Sequence, residues 1–338
     1  MEIKNQTKII CQIKDLIESA RRNLEKQINT TMLLTYWNVG KIIVEYEQNG
    51  NIKAEYGKSL LKNLSKQLSN DIGRGFSISN MQLMRRFFLE YPNQQTVSVK
   101  LSWSHYCELL SISDLNARGF YEKESINSSW SIRELKRQIS TSLFERLLLS
   151  DGNKNKEKVL ELSKQGVVYK KPTDILKEPY VFEFLGIPEN KPMLERDLEK
   201  ALIDKIENFL LELGRGFMFV GSQQRLTLGN IHYYVDMVFY NKILKAYVLI
   251  DLKMQALKPE NIGQMNAYLN YYANEVNDEG DAAPIGIILC ADKSEIVAEY
   301  ALGGLENQIF TSKYTYYIPN KEELIKQVEE VIKNQNGN

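Results

Sequence analysis

Two apolar runs separated by a short polar turn constrain the fold of this chain most. The runs cover residues 232–240 and 245–253, and the turn lies at residues 241–244. Both runs are rich in β-branched and aromatic residues and have the length of ordinary strands, so they predict a β-hairpin. Two aspartates and a lysine nevertheless interrupt these otherwise apolar runs. Charged residues inside such strands need an explanation.

The three charged residues are Asp236, Asp251 and Lys253. Side chains two apart on a strand share a face, so Asp251 and Lys253 point the same way, and pairing across the hairpin brings Asp236 beside Asp251. Leaving such charges buried and unpaired would be costly. Two explanations stay open at this point. Lys253 forms a structural ion pair with either aspartate, or the carboxylates bind a divalent metal such as Mg²⁺, which prefers oxygen ligands.

Composition narrows the class of protein. The chain has 338 residues, of which 43% are hydrophobic and 25% charged, as expected of a soluble globular protein with one large or two ordinary domains. It has no apolar run of about 18 residues and no signal-peptide core, so we expect a cytoplasmic protein without a transmembrane helix. The cysteines, Cys11, Cys107 and Cys290, form no CxxC pair, which argues against a disulfide framework.

The charges are unevenly distributed although the net charge is zero. Residues 1–165 carry 25 Lys and Arg against 18 Asp and Glu, and residues 166–338 carry 18 against 25. A basic half favours a nucleic-acid partner, and ordinary surface variation is the alternative.

The first half predicts helices. Residues 6–28 and 30–48 form two amphipathic helices, a glycine turn at 73–75 ends a further helix, and Ser77 or Ser79 caps the next one. This outline suits a helix-turn-helix, although most helical hairpins bind nothing. Residues 101–112 and 130–149 are also predicted to be helical. Candidate nucleic-acid contacts on the predicted helices are Arg85, Arg86, Arg133, Lys136 and Arg137.

The second half changes to an α/β pattern. We expect a helical, basic domain at 1–150, a linker at 151–190 and an α/β domain at 191–338. The order of elements predicts a mixed sheet flanked by helices. The helices are predicted at 192–213, 259–273, 293–303 and 321–333, and the strands at 217–227, 232–240, 245–253, 284–291 and 314–318.

The charged residues of the hairpin resemble a nuclease signature. Asp236, fourteen further residues and then Asp251-Leu252-Lys253 match the D…(D/E)xK pattern of the PD-(D/E)xK nuclease superfamily. Val235 stands where a proline often precedes the first aspartate. The pattern is short, and its order and context make it more specific.

Other segments extend the resemblance. Residues 264–268, QMNAY, are similar to the QxxxY motif of RecB-like nucleases. Glu199 lies on the helix before the first strand, where many members carry an active-site glutamate, and Glu195 is its rival one turn earlier. The chain resembles the YhcG-like nuclease family over about residues 30–335, through FLLELGRGFMFVG, VDMVFYNK, IDLK and IGQMNAYL in the C-terminal part and YWNVGKII and LSWSHYCELL in the N-terminal part.

The resemblance implies a metal-dependent DNA endonuclease. Its substrate is left open among duplex, branched, flap and foreign DNA. Its fold would be a restriction-endonuclease-like α/β domain preceded by an all-α, helix-turn-helix-like domain. The implied ligands of Mg²⁺ or Mn²⁺ are Asp236, Asp251, Glu199 and the carbonyl of Leu252. Lys253 would stabilise developing charge or orient the attacking water.

The remaining implied roles are less fixed. Gln264 would hold the attacking water or a phosphate oxygen, and Tyr268 would contact nucleic acid or only pack. His105 is expected to be structural, whereas His232 opens a strand near Asp236. The chain has two histidines, which excludes His-based nucleases and HExxH hydrolases, and it contains neither a P-loop nor a G-x-S-x-G motif.

The binding partners are only partly defined. DNA is the expected partner, and dimerisation would suit an enzyme that cuts both strands of a duplex. A partner protein in a DNA-processing or defence system is left open. The alternative function is a catalytically inactive nuclease fold that binds DNA or a protein partner.

Overall fold

The computed structural model describes residues 2–49, 54–150, 156–188, 194–292, 302 and 308–335. The chain divides into two compact units. The first unit comprises the residues up to 118 together with 129–135, and the second comprises 119–128 together with 136–338. The domain boundaries expected at residues 150 and 190 stay predictions. Among the described helices, none combines the length and apolar character needed to cross a membrane.

The first unit is helical. Its elements are α1 (Glu2–Asn49), α2 (Ala54–Asp71), α3 (Ile78–Glu90) and α4 (Trp103–Leu109). The prediction of two helices over 6–48 was wrong, because α1 is one helix of 48 residues. The predicted junction at residue 29 contains neither glycine nor proline, and the helix therefore continues through it. The apolar positions predicted on its first half are 46–71% exposed: Ile9, Ile10, Ile13, Leu16 and Ile17.

The turn between α2 and α3 follows the prediction. Gly73 and Gly75 have φ values of +106° and +118°, in the region that favours glycine. The Ser77 hydroxyl accepts a hydrogen bond from the backbone N–H of Asn80 at 3.2 Å and caps α3. Ser77, of the two serines considered, is therefore the cap. DNA binding by this pair of helices stays a prediction.

Aromatic side chains form the core of the first unit. The Phe87 ring lies 4.7 Å from Tyr106 and 5.4 Å from Trp103, measured between ring centroids. The Trp37 indole N–H donates to the backbone carbonyl of Tyr91 at 2.7 Å. His105 Nε2 lies 3.0 Å from the carbonyl of Trp130, so the structural role predicted for this histidine is confirmed.

Four described helices follow α4 along the chain and precede the first strand: α5 (Leu115–Asn127), α6 (Ile132–Ser140), α7 (Leu143–Ser150) and α8 (Lys156–Gln165). No helix was predicted at α5. The single helix expected over 130–149 is instead two helices, because Ser142 has a φ of +53° and interrupts the helical backbone.

A mixed sheet organises the second unit, as predicted, and the described residues form six strands in it instead of the five expected. Its strands are β1 (Tyr180–Val181), β2 (Phe217–Leu228), β3 (Ile231–Asn241), β4 (Ala246–Ala256), β5 (Ile285–Asp292) and β6 (Gln308–Thr315). Their spatial order is β1-β6-β5-β4-β3-β2. Strands β2, β3 and β4 pair antiparallel, and β4, β5, β6 and β1 pair parallel. The last strand was expected at 314–318 and lies earlier. β1 falls inside the predicted linker.

Helices α9 (Glu195–Asp204), α10 (Ile206–Leu213), α11 (Pro259–Tyr271) and α12 (Lys321–Gln335) accompany the sheet. The single helix expected over 192–213 is divided because Lys205 leaves helical geometry, with φ −119° and ψ 39°. The helix predicted at 293–303 lies, apart from Leu302, outside the described residues.

The two faces of β4 pack in different cores. Val248, Ile250 and Leu252 contribute to the core that contains residues of α9 and α10, and Leu249 contributes to the core that contains residues of α11. This alternation confirms the predicted assignment of faces and places Asp251 on the α11 side.

The second unit also contains a buried ion network that does not include Asp236, Asp251 or Lys253. The Glu212 carboxylate is fully buried and accepts hydrogen bonds from the Arg146 guanidinium and, at 3.0 Å, from the backbone N–H of Val181. Arg137 Nη2 lies 3.1 Å from the same carboxylate. Burial alone would raise the pKa of Glu212, but Arg146, Lys177 and Arg137 together lower it to about 2. Glu212 is therefore ionised throughout the neutral range.

Candidate active site

The β3–β4 hairpin positions the predicted site residues. Its cross-strand register runs from Asn241↔Ala246 to Met237↔Ile250. Beyond this last pair the ladder stops, at the point where Asp236 begins. Asp236 Oδ2 instead accepts a hydrogen bond from the backbone N–H of Leu252 at 2.8 Å. The carboxylate therefore bridges the two diverging strands.

Asp251 and Lys253 form a close ion pair on β4. Lys253 Nζ lies 2.8 Å from Asp251 Oδ2 and 3.5 Å from Glu195 Oε1. Asp251 is 2% exposed, and its Oδ2 is the oxygen that faces the Lys253 ammonium. The buried Asp251 carboxylate therefore shares its ammonium with Glu195.

Gln223 connects the third carboxylate to the site. Its side-chain amide donates to Glu199 Oε2 at 2.8 Å and lies 3.3 Å from Asp236 Oδ1. Gln223 has a φ of +47°, unusual for a residue other than glycine. Sequence reasoning missed this residue because nothing in its own segment marks it. Only the pairing of β2 with β3 could have found it.

Both glutamates left open by the sequence lie at the site. Glu195 approaches Lys253, and Glu199 approaches Asp236 through Gln223. Glu199 is 8% exposed, whereas the side chain of Glu195 is 44% exposed. The choice between them as a metal ligand stays a prediction.

The electrostatics of the site favour added positive charge. Burial and then the neighbouring Asp236 raise the pKa of Asp251 to about 7. Burial also raises the pKa of Asp236 and of Glu199. Burial alone would lower the pKa of Lys253, but Asp251 and then Glu195 outweigh it and raise that pKa. One ammonium is thus shared among several carboxylates that repel one another.

Gln264 and Tyr268 lie one turn apart on α11 and interact with each other. The Gln264 amide donates to the Tyr268 hydroxyl, and that hydroxyl donates to the backbone carbonyl of Tyr234 at 3.1 Å. Tyr268 is 1% exposed, so it packs between α11 and β3. The nucleic-acid contact considered for Tyr268 is not compatible with this burial. Gln264 is half-buried.

Comparisons with known proteins match both parts of the chain. Residues 173–329 match a family described as the YhcG PDDEXK nuclease domain, and residues 12–146 match the DUF1016 N-terminal domain. The chain is 36% identical over 341 residues to "Putative nuclease YhcG" of Escherichia coli (strain K12), covering 91% of this chain and 90% of the relative. The chain belongs to the YhcG nuclease family. The expected family and fold class are therefore confirmed.

Two solved structures match a smaller part of the chain. A repair endonuclease from Pyrococcus abyssi is 16% identical with a TM-score of 0.26, and the match covers 37% of this chain and 49% of that one. EndoMS in its apo form is 14% identical with a TM-score of 0.26, covering 39% and 49% respectively. These similarities are too limited to assign any role to a residue of this YhcG-family chain.

The site of this YhcG-family chain fits a hard cation incompletely. Among the described residues, no group of three or more His, Cys, Asp and Glu is already arranged to hold a metal. Asp236 and Asp251 provide two carboxylates, and that of Asp251 is buried. The Leu252 carbonyl points to the same side of β4 as its N–H, towards Asp236. Glu199 would have to exchange Gln223 for the cation. Oxygen donors of this kind suit Mg²⁺ or Mn²⁺.

An open groove gives access to the site. It has a volume of about 350 Å³ and is lined by residues of α9, β4 and α11, among them Glu195, Lys253, Lys258 and Asn261. The ion pair of Lys253 thus lies at a surface that a ligand can approach.

The basic residues predicted to contact nucleic acid have different environments. Arg85 Nε lies 2.7 Å from Glu47, and Arg86 pairs with Glu90 at 3.7 Å. Arg137 is engaged by Glu183 and by the buried Glu212, and its side chain is 12% exposed, so we do not retain it as a DNA contact. The two remaining candidates, Arg133 and Lys136, are exposed.

Proposed function

We propose that this YhcG-family chain is a metal-dependent nuclease that hydrolyses phosphodiester bonds in DNA. The observation that carries the proposal is the convergence of Asp236, Asp251 and Lys253 where β3 leaves β4. A purely structural ion pair needs one carboxylate for one ammonium. Here Lys253 faces Asp251 and Glu195, and the Asp236 and Glu199 carboxylates lie close by. That excess suits a cation and a phosphate better than it suits packing.

The residues proposed to hold the metal are Asp236, Asp251, Glu199 and the Leu252 carbonyl. When bound there, Mg²⁺ or Mn²⁺ would polarise the phosphate and lower the pKa of a coordinated water. Asp251 and Asp236 must be ionised to bind it, which sets the direction of the pH dependence of metal affinity. The Gln223 amide donates to Glu199 Oε2 at 2.8 Å and lies 3.3 Å from Asp236 Oδ1, so it holds Glu199 near the proposed metal ligands.

Lys253 and Gln264 are the proposed groups for the reacting phosphate and water. The carboxylates around Lys253 raise its pKa, so its ammonium stays protonated and can stabilise negative charge on the phosphate oxygens. Gln264 is proposed to orient the attacking water or a phosphate oxygen. Its hydrogen bond to Tyr268 fixes the direction of its amide. Tyr268 is thereby a positioning residue.

The charge of the first half of the chain supports DNA as the substrate. Residues 1–165 contain 25 Lys and Arg but only 18 Asp and Glu. Arg133 and Lys136 are exposed basic candidates for phosphate contacts, and Arg85 and Arg86, which form ion pairs with Glu47 and Glu90, are the others. The helix-turn-helix role, a homodimer and a partner protein stay predictions.

The test combines metal binding, DNA binding and cleavage. Calorimetry with Mg²⁺ and Mn²⁺ is expected to show binding by the wild type and none by Asp236→Ala/Asp251→Ala. Lys253→Ala should cut linear, supercoiled or branched DNA at least about 10²-fold more slowly than the wild type while keeping most of its DNA affinity. Lys242→Ala, at the turn that ends the same hairpin, is the matched control.

Two outcomes would contradict the proposal. Cleavage by Lys253→Ala at the wild-type rate would remove the lysine from the reaction. Tight DNA binding by the wild type without cleavage in either metal, on any of the three DNA forms, would favour a catalytically inactive DNA-binding module.

A further inference from the structure

The distal part of the β2–β3 hairpin extends beyond the proposed catalytic residues. The β3–β4 ladder ends at Met237↔Ile250, whereas β3 continues to pair with β2 from Gln224↔Val235 to Leu228↔Ile231. We call this two-stranded segment, residues 224–235, the arm. Gly229 closes it with a φ of +62°, in a two-residue loop that needs such a conformation.

The two faces of the arm have different environments. Leu226 and Val235 are buried in the core that contains residues of α11. Side chains alternate along a strand, so Arg225, Thr227, His232 and Tyr234 lie on the opposite face, and all four are exposed. Asp236 follows Tyr234 by two residues on β3, and the amide of Gln223, two residues before Arg225 on β2, lies 3.3 Å from Asp236 Oδ1. The exposed face therefore leads directly to the proposed catalytic site.

The exposed face carries a cation and an aromatic ring side by side. Arg225 and Tyr234 are directly opposed partners across the arm, and Tyr234 is 49% exposed. Arg225 forms no ion pair with any described residue. The next cross-strand pair, Thr227 and His232, is joined by a hydrogen bond of 3.0 Å. None of these side chains is needed to fill the core.

We propose that this face of the arm binds the unpaired nucleotides adjacent to the scissile phosphate, with Tyr234 stacking on a base and Arg225 contacting a phosphate. The inference rests on the proposed nuclease function and deepens it by naming the class of substrate, which is DNA that passes from duplex to single strand beside the cut. Base-on-aromatic stacking combined with a basic residue is the usual way to hold a single strand.

Geometry agrees with this assignment. Two residues along a strand span about 7 Å and four span about 13 Å, so Tyr234 and His232 lie at these distances along β3 from Asp236. One stacked nucleic-acid strand rises about 3.4 Å per nucleotide, so the arm covers roughly two to four nucleotides. Bases inside a duplex are already stacked on both faces, and the Tyr234 ring therefore requires an unpaired or terminal base.

The test compares a forked duplex with two unpaired arms against a blunt duplex of equal paired length. Affinities are measured by fluorescence anisotropy in the Asp251→Asn background, which is expected to bind without cutting. Tyr234→Ala should lose about tenfold in affinity for the fork and little for the blunt duplex. Tyr234→Phe should keep the preference because it keeps the ring. Arg225→Ala should reduce the slope of log affinity against log salt by about one.

Matched controls lie elsewhere in the second unit. Tyr317 is 51% exposed, and Tyr317→Ala removes a comparable aromatic side chain. Lys242→Ala removes a basic side chain at the opposite end of β3. Neither variant should change the fork preference. Circular-dichroism melts verify that each variant is folded.

The outcomes separate this inference from the proposed nuclease function. The inference is overturned if the parent protein binds fork and blunt duplex equally. It is also overturned if Tyr234→Ala keeps the fork preference and Arg225→Ala keeps the salt slope. Cleavage by wild-type protein with Mg²⁺ is read separately. Cleavage that does not depend on the arm would support the nuclease proposal and refute the arm assignment. Arm-dependent fork binding without cleavage would support the arm assignment and refute the nuclease proposal.

Discussion

Replacement of Asp251 by asparagine is expected to stabilise the metal-free protein while abolishing its proposed activity. Asp251 is 2% exposed, and burial together with Asp236 raises its pKa to about 7. A shift of about three pH units at about 1.4 kcal/mol each sets an upper limit near 4 kcal/mol for the cost of ionising it in the folded state. The variant removes this cost, but it also removes the carboxylate that lies 2.8 Å from the Lys253 ammonium. We therefore expect the free energy of unfolding to rise by half of that limit, ~2 kcal/mol.

The gain should depend on pH in one direction. A raised pKa in the folded state means that the folded protein holds this proton more tightly than the unfolded chain does. The associated stability is therefore present at low pH and is lost as the pH rises from about 4, the unfolded value, through about 7. Asparagine does not titrate. The difference between variant and wild type should grow over this interval and stay constant at higher pH.

Thermal melts in EDTA at a series of pH values measure the effect. At 2–4 °C per kcal/mol, the variant should melt about 4–8 °C above the wild type at pH 8 and close to it at pH 4. Asp292→Asn is a suitable control, since Asp292 pairs with Lys313 while 73% of its side chain is exposed. A variant that melts below the wild type at pH 8 would show that Asp251 and Lys253 form a stabilising ion pair. The metal-site interpretation would then lose its physical basis.

Two further predictions concern the scaffold. Glu212→Gln should cost about 3–5 kcal/mol at pH 7 in urea unfolding, because Arg146 is left buried without its carboxylate. Since the pKa of Glu212 is lowered to about 2, that difference should shrink as the pH falls from about 4 towards 2. Gly40→Ala should destabilise the first unit by about 1–3 kcal/mol in thermal melts, because its Cβ would overlap the backbone carbonyl oxygen of Met84. Gly263→Ala, on α11 with open space around it, should be neutral or gain up to about 1 kcal/mol, and a similar loss in both variants would refute the steric explanation.

Periodicity explains which elements the sequence predicted well. The hairpin strands and the helix over 321–335 have clear patterns of apolar residues, and their positions agree with the structure within a few residues. β1 contains only Tyr180 and Val181, so it has no period to detect. It forms because it pairs with Tyr314 and Thr315 on β6, a contact distant in sequence. The prolines around β1 are typical of a linker, so the sequence predicts a linker at this position.

The site divides in the same way. Asp236, Asp251 and Lys253 are identifiable because charge is unusual inside apolar strands. Gln223 is a polar residue in a polar segment, and its role depends on a positive φ and on the approach of α9. Arg137 illustrates the opposite error. A basic residue on a predicted surface helix is typical of a DNA contact, but the tertiary fold places Glu212 and Glu183 beside it.

One backbone feature underlies both proposals. β4 stays paired with β5 through Asp251↔Ile288 and Leu252↔Leu289, so one edge of β4 remains fixed. Its other edge loses β3 after Met237↔Ile250, and Asp236 takes the N–H that the ladder would have used. A rigid strand with one open edge can hold carboxylates in place without closing the space in front of them, as a metal site requires. The same divergence frees β3 to continue with β2 as the arm, and it explains why charges that are unfavourable in a continuous sheet are tolerated at this position.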